Sequence, residues 1–169
     1  MELSKAEKLI LINQYRILSA LNPDGAGNYN NRIKALEKGY KIHFDEMMNR
    51  IEDELTEEEC QEIIDILEMY TSLRDSFKNL KDKKGLDKKE LIFEGFDLEK
   101  EEKQLHYLEY LLYNLNRYKE FQLRSKYPNH DSEQPMLEKY RAMLKVWNIL
   151  PDKKVLSKDE MNSIFNQNG

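Results

Sequence analysis

Hydrophobic residues recur every three to four positions along most of this chain, which is the spacing of amphipathic helices. Three segments mark helix starts because each places Ser or Thr three residues before Glu: SKAE at 4–7, TEEE at 56–59 and SKDE at 157–160. In such a capping box the hydroxyl and the carboxylate each accept a hydrogen bond from a backbone amide at the helix start. Pro135 fits the first turn of a further helix, and Asp97 can cap another.

No segment shows the alternating pattern of a half-buried strand, so the sequence predicts an all-α fold. We expect a single domain over 1–169, a multi-helix bundle of about six to seven helices, because this length allows one well-buried core. The expected helices span 5–20, 27–38, 43–50, 57–80, 98–119, 135–149 and 158–166. A lysine-rich loop at 81–90, a short irregular segment around 91–97 and a turn-rich segment at 121–133 separate the later helices.

Two acidic residues, Asp65 and Glu68, interrupt the hydrophobic run of the helix at 57–80. At about 100° per residue both fall opposite the broad apolar side that includes Ile66 and Leu73. We therefore expect a solvated stripe rather than a pair of catalytic acids. A second subunit that covers this stripe would make the two carboxylates interface residues.

The helix at 98–119 is apolar or aromatic around most of its circumference, so both sides are expected to meet protein. Its leucines share one side, and Tyr107, Tyr110 and Tyr118 gather on the other. Tyrosine combines a large contact area with a polar tip and is frequent in interfaces. These three residues are our candidate interface, with a second core layer as the alternative.

The helix at 5–20 is also apolar on nearly all sides, yet it contains Asn13 and Gln14. A buried amide without a partner costs about 1–3 kcal/mol, so a central helix would need hydrogen bonds for both. We predict a polar core position for these two residues, as anchors that fix the helix register rather than as ligand contacts.

The segment FEGFD at 93–97 is a second candidate for a polar core or pocket. Gly95 between Phe93 and Phe96 suggests a bend at which backbone comes close, with the two rings anchored in the core. Asp97 is then a helix cap. A structural hinge or plug is the favoured interpretation, and a ligand pocket is the alternative.

The composition narrows the classes of protein that the chain can represent. A hydrophobic share of 40% is too high for a disordered chain, and a net charge of −5 argues against broad binding to nucleic acid. One cysteine, Cys60, cannot form an internal disulfide and suits a reducing compartment. The longest apolar runs, LILI and YLLY, are too short for a membrane span. The N-terminal MELSKAEK lacks the apolar region of a signal peptide, so the cytoplasm is the expected location.

Candidate catalytic chemistry is sparse. The histidines His43, His106 and His130 show no metal-binding spacing, and no phosphate loop or nucleotide-binding glycine pattern is present. Cys60 follows three glutamates, which disfavour a thiolate, so a packed thiol is expected. We expect no catalytic residue, no cofactor and no metal; a metal-dependent hydrolase that uses surface acids is the weakest alternative.

One basic stretch deserves a separate hypothesis. RYKEFQLRSKY at 117–127 interleaves aromatic residues with Arg117, Lys119, Arg124 and Lys126. Such patterns hold single-stranded nucleic acid by charge and by stacking. They also serve ordinary packing at a helix end, so nucleic acid is an alternative partner and is not favoured.

Several segments together resemble the YfbU family of bacterial proteins: LILINQY at 9–15, IIDILEMY at 63–70, FEGFD at 93–97, PMLEKYRAMLKVW at 135–147 and, more weakly, LSKDEMNSI at 156–164. The motif residues include Asp65, Glu68, Tyr70, Glu138, Tyr140 and Trp147. The resemblance implies a helical, intracellular protein without an established activity, so it assigns no catalytic residue.

Taken together, these observations favour a non-enzymatic protein that self-associates, with a homodimer favoured, and that works through contacts with an unidentified protein partner. The alternative is a regulator that binds nucleic acid through 117–127.

Overall fold

The computed structural model describes residues 3–49, 51, 55–122 and 128–166. Within these ranges the chain forms eight α-helices and no strand, which confirms the predicted all-α fold. The helices are α1 Lys5–Leu21, α2 Ala26–Lys38, α3 Lys41–Met48, α4 Glu57–Asn79, α5 Glu102–Glu109, α6 Lys119–Gln122, α7 Leu137–Asn148 and α8 Lys158–Phe165. A π-helix at Tyr110–Asn114 continues α5, and 3-10 turns lie at Pro23–Gly25, Lys88–Leu91 and Pro128–His130. None of the described helices has the length and apolar character needed to cross a membrane.

All three predicted capping boxes form. At the start of α1 the Glu7 carboxylate accepts a hydrogen bond from the Ser4 amide at 2.7 Å, and the Glu7 amide donates to the Ser4 hydroxyl at 3.3 Å. The boxes at 56–59 and 157–160 close in the same way before α4 and α8. The hydrogen bonds from the Ser4 side chain and amide lower the pKa of Glu7, because they stabilise its ionised form.

The chain divides into two compact units, Met1–Glu54 and Leu55–Gly169, which we call the N-terminal and the C-terminal unit. In the N-terminal unit α1 packs along α2, and α3 follows on α2. The buried hydrophobic residues of its described part are Ile12, Ala35, Leu36 and Phe44. Each unit has a hydrophobic cluster of its own. The single domain expected from the length stays a prediction.

The C-terminal unit is built around α4, which contacts α5 and α7, while α8 packs on α7. The apolar side of α4 is fully buried at Ile66, Leu67 and Leu73, as its periodicity predicts. Aromatic rings fill the space around it, with centroids 5.4–6.0 Å apart and mostly edge-to-face: Tyr70, Phe93, Phe96, Phe121 and Tyr140. This arrangement is the favourable one for ring quadrupoles.

The helix predicted at 98–119 is wrong at both ends. Asp97 caps a turn at 98–101, with its carboxylate accepting from two backbone amides at 2.7 and 3.1 Å, and α5 begins only after this turn. Past the π-helix, Asn116 and Tyr118 have φ values of 53° and 49°. A right-handed helix cannot continue through residues with positive φ, so the chain leaves the helix axis there.

Candidate functional site

The N-terminal unit carries an exposed apolar surface on one helix. We call it the α1 stripe: Leu9, Ile10, Ile17, Leu18 and Leu21, which are 55%, 57%, 59%, 41% and 77% exposed. Ile10 and Ile17 are seven residues apart, close to two helical turns, so they lie on one line along α1. Leu9 and Leu18 are nine residues apart, or about 180° in helical phase, so they lie at the two edges of this exposed side of α1, with Ile10, Ile17 and Leu21 between them.

The inner side of α1 fixes the direction in which this stripe points. The Tyr15 ring stacks on Tyr29 with centroids 6.2 Å apart, and the Arg32 guanidinium lies 5.5 Å from the centre of the Tyr15 ring. An ion pair at 2.9 Å joins Arg16 of α1 to Glu37 of α2. Because these contacts attach one side of α1 to α2, the stripe on the other side is left exposed.

Asn13 and Gln14 do not lie in the polar core that we predicted for them. Both side chains are exposed, and neither has a hydrogen-bond partner within the described part of the chain. The reason is the small core of the N-terminal unit: α1 is apolar nearly all round, yet only the side around Ile12 meets α2 and α3. The two amides therefore sit in the middle of the α1 stripe.

The predicted tyrosine interface is divided by the end of the helix. Tyr107 and Tyr110 stack with centroids 6.4 Å apart, and Tyr110 is 48% exposed. Tyr107 is half-buried, and this burial, with Cys60 beside it, raises the pKa of its hydroxyl. Tyr118 follows the residue Asn116, whose positive φ ends the helix, so it does not share a helix face with the other two. The Arg117 guanidinium carbon lies 5.1 Å from the centre of the Tyr118 ring.

The FEGFD segment packs closely onto backbone at Gly95, while its Phe93 is one of the residues that line the basic groove described below. Gly95 has a φ of 94°, and a Cβ at this position would lie 1.8 Å from the His130 carbonyl oxygen. The Tyr140 hydroxyl donates to the Gly95 carbonyl at 3.1 Å, and Phe93 and Phe96 are buried in the core. A parallel bridge follows, with the Phe96 amide donating to the His130 carbonyl at 3.0 Å. The close packing at Gly95 is compatible with a structural hinge or plug, which stays a prediction.

Glu101 is a buried carboxylate that our sequence reasoning missed. It accepts hydrogen bonds from the backbone amides of Met136 and Leu137 at 2.7–3.0 Å, and from the Asp97 amide at 3.1 Å. A helix N-terminus has unpaired amides and a partial positive charge, and this carboxylate satisfies both at the start of α7. One signal was available: no Ser, Thr, Asp or Asn occupies the N-cap of α7, which is Met136.

His130 is likewise buried, and it makes a polar contact with a tyrosine. Its Nε2 and the Tyr113 hydroxyl share a hydrogen bond of 3.1 Å, and burial lowers the pKa of the imidazole. The described residues contain no group of three or more His, Cys, Asp or Glu side chains placed to hold a metal ion.

The acidic residues of the IIDILEMY motif lie at the surface of the C-terminal unit. Glu68 is exposed, and Asp65 is half-buried and accepts a hydrogen bond from Gln61 at 2.7 Å. Asp65 also lines an acidic groove of about 630 Å³ between α4 and α7, to which Glu138 contributes. The aromatic motif residues are instead in the core: Tyr70, Tyr140 and Trp147.

A second groove, on the C-terminal unit, is basic. It encloses about 670 Å³, with a carboxylate from Glu120 and four cations on its rim: Arg74, Lys78, Lys88 and Lys119. Its apolar lining includes Phe77 and Ile92, which is 39% exposed. Lys119 belongs to the predicted nucleic-acid stretch; Arg117 contacts Tyr118, and Arg124 and Lys126 lie outside the described residues.

These features define an all-α protein whose buried polar side chains bind its own backbone. The chain belongs to the YfbU family: the family model described as YfbU domain matches residues 1–167, which spans both units. The resemblance inferred from the sequence motifs is thereby confirmed.

Proposed function

We propose that this YfbU-family protein is a non-enzymatic, cytoplasmic interaction protein that self-associates as a homodimer through the α1 stripe. The observation that carries the proposal is the balance of apolar surface in the N-terminal unit. In its described part eight large hydrophobic residues are exposed, while four hydrophobic residues are buried. A small unit with so little core needs further burial to be stable, and a second copy supplies it.

The positions of the buried polar side chains support a non-enzymatic role. Glu101 binds backbone amides, and Tyr140 binds the backbone around Gly95. The His130 imidazole shares a hydrogen bond with Tyr113, and its backbone carbonyl accepts from the Phe96 amide. Each of these groups is engaged in holding the fold together. The tyrosine surface around Tyr110 remains our prediction for a second contact surface, open to an unidentified protein partner.

Sedimentation velocity of the full chain tests the self-association. We expect a dimer at micromolar concentration for the natural protein and a monomer near 20 kDa for Ile17→Lys. The matched control is Ile149→Lys, which changes the same residue type and charge at a site that is 80% exposed in the C-terminal unit. The control should remain a dimer. A natural protein that sediments as a monomer contradicts the proposal.

A second candidate function rests on the basic groove. Four cations and one carboxylate line this groove on a chain of net charge −5, and of the four Lys78 is paired with Asp75 at 2.7 Å. Cations and partly exposed apolar side chains suit single-stranded nucleic acid. Binding to a mixed oligonucleotide pool should weaken as salt rises and should fall in Lys88→Gln with Lys119→Gln. An absence of binding at low salt contradicts this candidate.

A further inference from the structure

We infer that the groove between α2 and α3 of the N-terminal unit binds a small organic anion, one that joins a phosphate or carboxylate group to a planar ring. This α2–α3 groove encloses about 480 Å³, a volume within the range of sites for small molecules. Its lining residues belong to α2, to α3 and to Tyr40 between them, so the inference does not depend on self-association through the α1 stripe. Its basis is the chemistry of those side chains.

Helical spacing brings polar groups of α2 to one wall of the groove. Four residues of α2 line it at the spacing i, i + 3, i + 4 and i + 7, which is one helix face: Asn28, Asn31, Arg32 and Ala35. The helix ends at Gly39, whose φ of 71° turns the chain, and Tyr40 and His43 then line the groove from the start of α3. The α2 wall therefore presents two amides and one guanidinium.

Arg32 is the strongest indication that the ligand is an anion. Its side chain is half-buried, lies 5.5 Å from the centre of the Tyr15 ring, and has no carboxylate partner within the described part of the chain. The Tyr15 ring is itself held, since it stacks on Tyr29 and its hydroxyl donates to the Met47 sulfur at 3.7 Å. A guanidinium that is positioned but not paired suits a carboxylate or a phosphate, which it binds through two parallel N–H groups.

The other charges around the groove also favour an anion. Lys34 adds a second cation at the exposed rim, and no carboxylate of the described residues pairs with it. Among the described lining residues the one carboxylate is Glu46, whose Oε2 lies 3.3 Å from Nδ1 of His43. The negative charge of the groove is thus already engaged, while the two cations of α2 are not.

The remaining lining groups suit a planar ring with polar edges. Asn28 and Asn31 are exposed, and neither side chain has a hydrogen-bond partner among the described residues. A side-chain amide both donates and accepts, so it can pair with the edge of a heteroaromatic ring. Tyr40 is 49% exposed and offers a ring face for stacking. A mononucleotide combines such a ring with an oxyanion, whereas inorganic phosphate would fill only a small part of the groove.

Titration of the full chain with adenosine monophosphate, followed by nuclear magnetic resonance, tests this site. We expect the shifted backbone amide signals to concentrate in 28–35 and 40–47. Binding should be at least about tenfold tighter than that of inorganic phosphate or of adenosine, because each of these lacks hydrogen bonds worth about that factor. Nicotinate, which carries a carboxylate on a heteroaromatic ring, distinguishes the two sources of the oxyanion. Binding of nicotinate alone at these residues would support the site and assign a carboxylate ligand.

Three variants locate the binding. Arg32→Gln should weaken it at least about tenfold, and Lys34→Glu about fivefold, since Lys34 is exposed. Lys38→Glu is the matched control, with the same charge change at an exposed position of α2 outside the groove, and should bind as the natural protein does. Lys34→Glu keeps the test valid even if Arg32→Gln, which loses its contact with Tyr15, fails to fold.

Three results would overturn the inference. The first is an absence of binding by both adenosine monophosphate and nicotinate. The second is equal weakening in Lys34→Glu and Lys38→Glu, which would show general attraction of anions to α2. The third is a set of shifted signals outside 28–35 and 40–47. Sedimentation tests self-association separately, so failure of one proposal is distinguishable from failure of the other.

Discussion

The two units of this protein bury their hydrophobic residues very differently. The C-terminal unit buries the apolar side of α4 among leucines, methionines and aromatic rings, and it uses buried polar groups to support the backbone. The N-terminal unit buries only one side of α1 and leaves the stripe exposed. Apolar residues on a helix are therefore compatible with two environments, and the number of neighbouring helices decides how many of them are buried. The following changes should separate a unit that is stable alone from one that depends on a partner.

The largest effect is expected from Gly95→Ala in the C-terminal unit. The new Cβ would overlap the His130 carbonyl, and alanine would have to adopt a φ of 94°. We expect the free energy of unfolding to fall by more than about 3 kcal/mol, measured by urea denaturation. Gly85→Ala is the matched control, since its φ is 87° but its Cβ would meet no atom within 4 Å. The control should lose only about 1 kcal/mol; equal losses would contradict the proposed overlap.

The next effect concerns the start of α7. Glu101→Gln replaces an acceptor-only carboxylate by an amide whose NH₂ group would face backbone donors. We expect a loss of about 2–3 kcal/mol in the free energy of unfolding, because a buried charged hydrogen bond is removed. Glu102→Gln, at the exposed neighbouring position, should change it by less than about 0.5 kcal/mol. Similar values for both variants would show that Glu101 does not support the helix.

Concentration should affect the two units unequally. In a dimer the fraction of free monomer falls about threefold when the protein concentration rises tenfold, and a unit stabilised by the interface follows that change. Hydrogen exchange followed by mass spectrometry should therefore show about threefold slower exchange in α1 at the higher concentration. Exchange in α4 should not change. A uniform response in both units would contradict the difference proposed between them.

The smallest effect is a pH dependence confined to the C-terminal unit. Burial lowers the pKa of His130 below its ordinary value of 6.5, so the folded state binds the proton less readily than the unfolded state. The stabilising contribution is therefore full above about pH 6.5 and is lost as pH falls toward the lowered pKa. Urea denaturation at pH 7.5 and 5.5 should show the decrease in the natural protein. His130→Asn should show less of it, since asparagine tolerates the positive φ of 57° and does not titrate.

Much of the fold follows from local sequence. The capping boxes at Ser4, Thr56 and Ser157 identify helix starts because their donors and acceptors lie within four residues of each other. Helical phase alone also places Asp65 and Glu68 away from the apolar side of α4, where Glu68 is exposed and Asp65 half-buried. The point at which the helix ends after α5 could not be predicted in this way. It depends on a π-helix and on positive φ values at Asn116 and Tyr118, and neither position carries the glycine that would indicate them.

The sites were less predictable because they depend on contacts between distant segments. Glu101 caps a helix that begins 36 residues later, a pairing that no local pattern encodes. Asn13 and Gln14 were placed in a core because their helix is apolar all round, but the periodicity does not state how many neighbours the helix has. The basic groove brings together cations of α4, Lys88 and a cation of α6. Of these cations only Lys119 of α6 lies in the stretch predicted to bind nucleic acid.

The position of the single tryptophan gives this molecule a built-in optical probe. Trp147 is buried in the C-terminal unit, its indole N–H donates to the Lys153 carbonyl at 3.1 Å, and the Lys153 ammonium lies 4.7 Å from the ring centre. The emission wavelength of the protein therefore reports the state of that unit. A transition followed by ellipticity, which senses the helices of both units, but not by tryptophan emission can be assigned to the N-terminal unit without any label.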